Sequence, residues 1–185
     1  MRIEIVYGSP RQHSNTHRVA LHLHHLLQEK TEHEIGLLDV RNYPLPLLQK
    51  VFATVEDTPA EFKELAHRIF QADAFIMVTP EYNGSYSPAM QNMFDHFPKQ
   101  HRKVFGLVTA STGALGGMRA AMQLQQFTMA LFGIPSPYML ITPLVDKKFD
   151  ADGTLTDPSF QKSIDVFTKE YLWLAEKLVE EKVEA

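Results

Sequence analysis

Gly8-Ser9-Pro10-Arg11-Gln12-His13-Ser14-Asn15-Thr16 places the hydroxyls of Ser9, Ser14 and Thr16, the Asn15 amide and the Arg11 guanidinium at the start of a predicted helix. Backbone N–H groups at a helix N-terminus carry partial positive charge. Hydroxyl donors and Arg11 would complete around them a cage for a phosphate monoester, with no metal required. Capping by Ser14 or Asn15 would account for one polar residue of this run, but not for five. No Gly-Lys-Ser/Thr follows, and the spacing is not Gly-x-Gly-x-x-Gly, so ATP-dependent transfer and a Rossmann-type NAD site both lose support.

Two further loops carry the same kind of signal. Thr79-Pro80-Glu81-Tyr82-Asn83-Gly84-Ser85-Tyr86-Ser87-Pro88 combines tyrosines with turn residues that bring backbone amides to the surface, which suits a planar aromatic ligand. Ala110-Ser111-Thr112-Gly113-Ala114-Leu115-Gly116-Gly117 sets glycines before a helix, so that backbone N–H groups can approach a ring closely.

The elements that must position these loops follow from periodicity. Apolar, β-branched runs at Ile3 to Tyr7, Glu34 to Val40, Ala74 to Val78, Val104 to Thr109 and Tyr138 to Ile141 predict five strands. Helical spacing predicts helices from Asn15 to Lys30, from a Thr58 N-cap with Pro59 and Glu61 in a capping box, from Ser87-Pro88 to Phe97, from Met118 to Phe132 with Gly133 as its stop, and from Asp157-Pro158 onward. The last helix buries Phe160, Ile164, Phe167, Tyr171, Leu174 and Leu178 on one face. Strand alternating with helix implies an α/β fold, a doubly wound five-stranded parallel sheet of order 2-1-3-4-5 in a three-layer α/β/α sandwich. Pro135 and Pro137 put the fifth strand at an edge. Glu4 is expected near an exposed strand end.

In such sheets a ligand sits outside the carboxyl ends of the strands where their order reverses, so all three loops share one rim. A phosphate cradle, an aromatic wall and an amide-lined wall together make the layout that flavin mononucleotide (FMN) requires.

Composition agrees with a small soluble protein. The 185 residues suit a single domain, read as 1–185. Eighteen Lys and Arg against 22 Asp and Glu give a net charge of −4, with no basic run to engage nucleic acid. Absence of Cys removes disulfides and thiolate chemistry. The chain enters its first strand without a signal-peptide pattern, and no segment is apolar over the ~20 residues of a membrane span, so a cytoplasmic location is expected. His13, His17, His22, His24, His25 and His33 crowd the first helix, but without His-Glu-x-x-His or clustered carboxylates they read as a solvated face, and no metal site is assigned.

On Gly8-Ser9-x-Arg11-x-x-Ser14, on Pro80-Glu81-Tyr82-Asn83-x-Ser85-x-x-Pro88 with Asn92 and Asp95, and on Gly113-x-x-Gly116-Gly117, the chain resembles the NAD(P)H-dependent FMN reductase family, the flavodoxin-like group of chromate, quinone and azo reductases. The resemblance implies FMN with NADPH or NADH as co-substrate. It puts the phosphate on Ser9, Arg11, Ser14, Asn15 and Thr16, and the isoalloxazine between Pro80, Glu81, Tyr82, Asn83, Gly84 and Ser85 on one side and Ser111, Thr112, Gly113 and Gly116 on the other. It also implies a homodimer or homotetramer whose partner subunit walls the site. Gln91 and His96 depart from the family's usual Lys and aromatic, on the helix assigned to that contact; Asn92 and Asp95 read as structural or interface residues.

Flavin N5 carries the chemistry, so no catalytic side chain is required. The expected cycle is ping-pong: hydride from NAD(P)H, then electrons to a small acceptor at the same face, with third-loop amides and the start of the fourth helix stabilising the reduced anion. Quinones, azo dyes, chromate, nitroaromatics and free flavin all stay open as acceptors. The rival reading is a flavodoxin-type electron carrier that does not oxidise NAD(P)H, although such carriers are usually more acidic. A phosphoacceptor module would need carboxylates where Thr79-Pro80 and Ser9-Pro10 stand. Met118, Met122, Met129, Phe127 and Phe132 make the fourth helix apolar over more than one stripe, as a subunit interface would.

Overall fold

A computed structural model describes the backbone of residues 1–184, with side chains described through residue 180. Four strands, β1 (Arg2–Tyr7), β2 (Glu34–Asp39), β3 (Ala74–Pro80) and β4 (Val104–Ala110), lie parallel in the order β2-β1-β3-β4. The helices α1 (Thr16–Lys30), α2 (Lys63–Gln71), α3 (Pro88–Asp95) and α4 (Met118–Ala130) follow β1 to β4 respectively, and α6 (Gln161–Glu184) closes the chain after a short α5 (Val145–Lys148). β3 and β4 are buried along their whole length, as strands covered by helices on both faces must be. Ile3, Ile5 and Tyr7 of β1 pack with α1 and α6; Val6 of β1 joins Phe75, Met77 and the apolar faces of α2, α3 and α4 on the other side. Tyr7 pairs with Val78, and Val78 with Val108, so β1, β3 and β4 end at one level and their loops emerge side by side.

Several expectations are corrected. The fifth strand position is filled by two pieces, β5 (Ile134–Pro135) and β6 (Leu140–Thr142), both parallel to β4. The Pro135 to Pro137 stretch interrupts the ladder between them, since proline supplies no N–H. Glu4 is fully buried, not exposed. β1 is internal to the sheet, and the carboxylate enters the core between Arg68 Nη2 at 2.5 Å and Arg2 Nε at 3.1 Å. Gly36 on the neighbouring strand leaves the room, because a Cβ there would stand 2.2 Å from Glu4 Oε2.

Thr58 does not cap the second helix. Its hydroxyl donates to Thr54 O at 2.8 Å, and a 3-10 turn over Ala60–Phe62 precedes α2, so the proposed box with Glu61 does not form. Ser87 does cap α3, accepting from Ala89 N at 3.1 Å. Asp157 begins a 3-10 turn (Pro158–Phe160) before α6, accepting from Ser159 N. At the end of α4 the left-handed residue is Phe132 (φ 56°) and not Gly133. Gly133 instead donates to Thr128 O at 3.0 Å and lies so close to the Phe105 ring that a Cβ would clash.

The proline-rich stretch after β2 is held from outside. Asn92 Nδ2 donates to Pro46 O at 2.8 Å and Leu45 O at 3.3 Å, and Phe52 N donates to His96 O at 2.7 Å. His96 is therefore a core residue, its Nδ1 donating to Asn92 O at 2.7 Å.

Candidate functional site

The three rim loops meet in a cleft of about 270 Å³ lined by Arg11, His13, Ser14, Asn15, Thr16, Pro80, Glu81, Tyr82, Ala110, Ser111, Thr112 and Val145. Nine of the fifteen residues singled out from the sequence thus line one wall or another of the same space. Ser9, Asn83, Gly84, Ser85, Gly113 and Gly116 do not line it.

In the first loop, Asn15 is the N-cap of α1 by backbone position but its side chain makes no capping bond. Ser14 Oγ accepts the Thr16 N–H at 3.3 Å instead. Ser9 is buried beneath the wall, with its Oγ 3.3 Å from Tyr82 Oη and accepting the Arg11 N–H at 3.4 Å. The Arg11 guanidinium lies over the Tyr82 ring, 4.9 Å from its centroid. The first and second loops therefore touch through both residues.

The second loop is a tight hairpin. Tyr82 and Ser85 exchange backbone bonds of 2.8 and 3.1 Å across Asn83 (φ 52°) and Gly84 (φ 85°), the two left-handed residues that an Asn-Gly type I′ turn demands. Asn83, Gly84 and Ser85 form this turn and leave Tyr82 to face the cleft. Thr79 Oγ1 accepts the Ser87 N–H at 3.0 Å and returns the chain to α3. Tyr86 stacks on Phe127 at 5.0 Å and donates to Gln91 Oε1 at 3.1 Å, so Phe127 belongs to the core.

The third loop is pinned by a segment that the sequence did not point to. Ser111 N donates to Thr142 O, Val145 N to Ser111 O and Leu144 N to Gly113 O. Gly116 (φ 61°) passes so near this strap that a Cβ would lie 2.6 Å from Pro143 N, and Gly117 (φ 88°) turns the chain into α4. Gly113 and Gly116 thus shape the loop from behind while Ser111 and Thr112 line the cleft. Val145 was missed because an isolated apolar residue has no periodicity to mark it, and Ala110, though it opens the third loop, was given no role. His13 was passed over as one of many histidines.

Glu81 alters the expected electrostatics of the third wall. Its Oε2 accepts from Arg119 N at 3.2 Å and Ala120 N at 3.4 Å, and Arg119 Nη1 lies 3.7 Å from Oε1. The carboxylate serves as the N-terminal cap that Gly117 cannot provide, so the start of α4 is not an unopposed positive pole.

The histidines of α1 are mostly not solvated. His17 stacks on Tyr7 at 4.7 Å, and His22 Nδ1 is bonded to Gly153 O at 2.9 Å. Burial pulls the pKa of His17, His22 and His24 below the ordinary histidine value. Among the described residues no group of three or more His, Asp or Glu is arranged to hold a metal.

The donor set fits a phosphate ester: hydroxyls, one free amide, one cation and a helix N-terminus, with Glu81, the carboxylate in the cleft lining, already engaged. Fold and site together define a flavodoxin-like protein with a polar cleft at the rim of its sheet. Residues 1–142 match the family model of NADPH-dependent FMN reductases, and the chain belongs to that family, whose oxidoreductases work with FMN and a nicotinamide co-substrate. An FMN-dependent NADPH-azoreductase of Staphylococcus aureus is 29% identical over 164 residues, covering 85% of this chain and 86% of that one. Among solved structures, the NAD(P)H:acceptor oxidoreductase FerB of Paracoccus denitrificans superposes with a TM-score of 0.80 at 23% identity, over 95% of this chain and 97% of its own. An archaeal flavodoxin superposes with a TM-score of 0.60 at 12% identity, over 96% and 99%. Both likenesses carry the fold. No helix of the described residues is long and apolar enough to cross a membrane.

Proposed function

We propose that this chain is a cytoplasmic NAD(P)H-dependent reductase that holds FMN in the rim cleft and passes electrons to a small acceptor, a quinone, azo compound, chromate or flavin, in ping-pong order. FMN supplies hydride acceptance and release at N5. The chain's own part is binding and orientation. Arg11, Ser14, Asn15 and Thr16 grip the phosphate, with Ser9 beneath them. Pro80, Glu81 and Tyr82, held by the Asn83-Gly84-Ser85 turn, form one wall for the ring, and Ser111 and Thr112, shaped from behind by Gly113 and Gly116, the other. Glu81 ties the two ring walls together at a fixed spacing through the first N–H groups of α4. Tyr82, itself steadied by Ser9 and Arg11, keeps one flank of the cleft apolar and excludes water there. Donor and acceptor use the remaining open side in turn.

The observation that carries this reading is the convergence of the three loops on one polar cleft. Titration with FMN and with riboflavin, followed by the flavin absorption spectrum, tests it. FMN should bind at least about tenfold more tightly than riboflavin, and Arg11→Ala should narrow that gap by about tenfold, the worth of one charge-assisted hydrogen bond. Equal affinities in the unaltered protein would remove the phosphate site. Steady-state NADPH oxidation with a quinone separates the reductase from an electron carrier, for which turnover would be absent.

A further inference from the structure

Tyr7, the last residue of β1, ends directly under the phosphate-binding loop proposed above. Its side chain is fully buried, and among the described residues its hydroxyl has no hydrogen-bond partner. The ring is held firmly: His17 of α1 stacks on it at 4.7 Å, and the Arg41 guanidinium lies 4.9 Å from its centroid on a carboxylate tether to Asp39. The phenol therefore cannot swing away to find water. Burial, the largest influence, raises its pKa above the ordinary tyrosine value against the opposing pull of the Ser14 and Ser9 hydroxyls and the Arg41 charge, so near neutral pH the group is a protonated donor. An aromatic of this size needs no hydroxyl to fill its place, since phenylalanine would pack the same volume without an orphaned polar atom.

Both neighbouring hydroxyls already act as acceptors toward backbone, Ser14 Oγ from Thr16 N and Ser9 Oγ from Arg11 N. Ser9 Oγ is also engaged with Tyr82 Oη at 3.3 Å, so Ser14 is the one of the two with a proton left to direct. We infer that Tyr7 is a positioning residue for the phosphate site: when an ester enters, its hydroxyl donates to the Ser14 oxygen, and the proton of Ser14 turns outward to the phosphate. Hydrogen bonds in such a chain polarise one another, so the serine becomes a better donor than it would be alone. No proton leaves any group in this arrangement. The inference rests on the phosphate-site reading and extends it to a residue behind the wall.

Tyr7→Phe is the test, because the two roles open to the hydroxyl give results of opposite sign. Removing an unpartnered buried hydroxyl should leave the melting temperature of the flavin-free protein unchanged or raised. The same change should weaken FMN about tenfold while leaving riboflavin binding within about twofold. Ser14→Ala should cost a similar factor, and Ser14→Ala with Tyr7→Phe little more than either alone, since both act through one chain. An unchanged FMN-to-riboflavin ratio in Tyr7→Phe, equal weakening of both flavins, or fully additive losses would overturn the inference. Unaltered protein that does not distinguish FMN from riboflavin would instead fail the phosphate site itself, and with it this extension.

Discussion

Glu4 is buried with two guanidiniums on it, Arg68 Nη2 at 2.5 Å and Arg2 Nε at 3.1 Å. A carboxylate out of water depends on these partners, and removing one leaves charge that nothing else in the core can satisfy. Arg68→Met should therefore destabilise the fold by about 3 kcal/mol, near the lower end of what breaking a buried pair costs because Arg2 remains. In a protein of this size that lowers the melting temperature by roughly 6–12 °C. Replacing Glu4 as well, as Glu4→Gln with Arg68→Met, should return part of the loss by removing the stranded charge. A single-variant loss under about 1 kcal/mol in urea unfolding would mean that Arg2 alone neutralises Glu4. Glu81 carries the same lesson at the rim: its type alone left open whether it met ligand or backbone, and only the path of α4 resolves it into a cap.

Elements were legible wherever the side-chain pattern is repeated by the backbone's own period. The uniformly apolar run at Ala74 to Val78 could only be a strand covered on both faces, and Ser87-Pro88 states a helix start in two residues. Legibility failed where a tertiary partner decides. Thr58 had a choice of acceptors and took Thr54 O; the Val145–Lys148 turn exists because Ser111 and Gly113 offer it carbonyls from far up the chain. The histidines of α1 belong here too. His22 Nδ1 must donate to Gly153 O, which leaves Nε2 as a buried lone pair without a partner among the described residues. His17, His22 and His24 all titrate below the ordinary 6.5 in the folded state, chiefly through burial. The unfolded chain then binds protons first as pH falls through about 6.5, so stability is complete above that value and declines below it. The urea midpoint should drop between pH 7.5 and 5.5, and His22→Gln, which keeps a donor for Gly153 O, should flatten that slope. The carboxylates Asp152 and Asp157, held at about 2, act only in a separate window below pH 4. A midpoint independent of pH from 7.5 to 5.5 would contradict the role given to α1.

Across the whole molecule, the apolar surface is unevenly spread. Leu115 (64% exposed), Met118, Met122, Met129 (66%) and Phe132 (59%) project from α4 and its two ends, while Phe127 on the same helix is buried against Tyr86. Isolated exposed side chains need no explanation, but a series along one element is the surface that an interface with another body would use. The same helix begins at the third rim loop, so whatever covers it also borders the cleft. A second copy of this chain, related by a two-fold axis, would bury both sets at once and complete each cleft from outside, the arrangement that self-complementary interfaces favour. Light scattering after size exclusion should then give at least twice the 21.1 kDa chain mass. Met122→Glu with Met129→Glu places like charges opposite themselves across that axis and should yield monomers that still melt cooperatively but turn over NADPH poorly. Monomeric unaltered protein with full activity at dilution would separate the cleft from any partner and assign the α4 surface to something else.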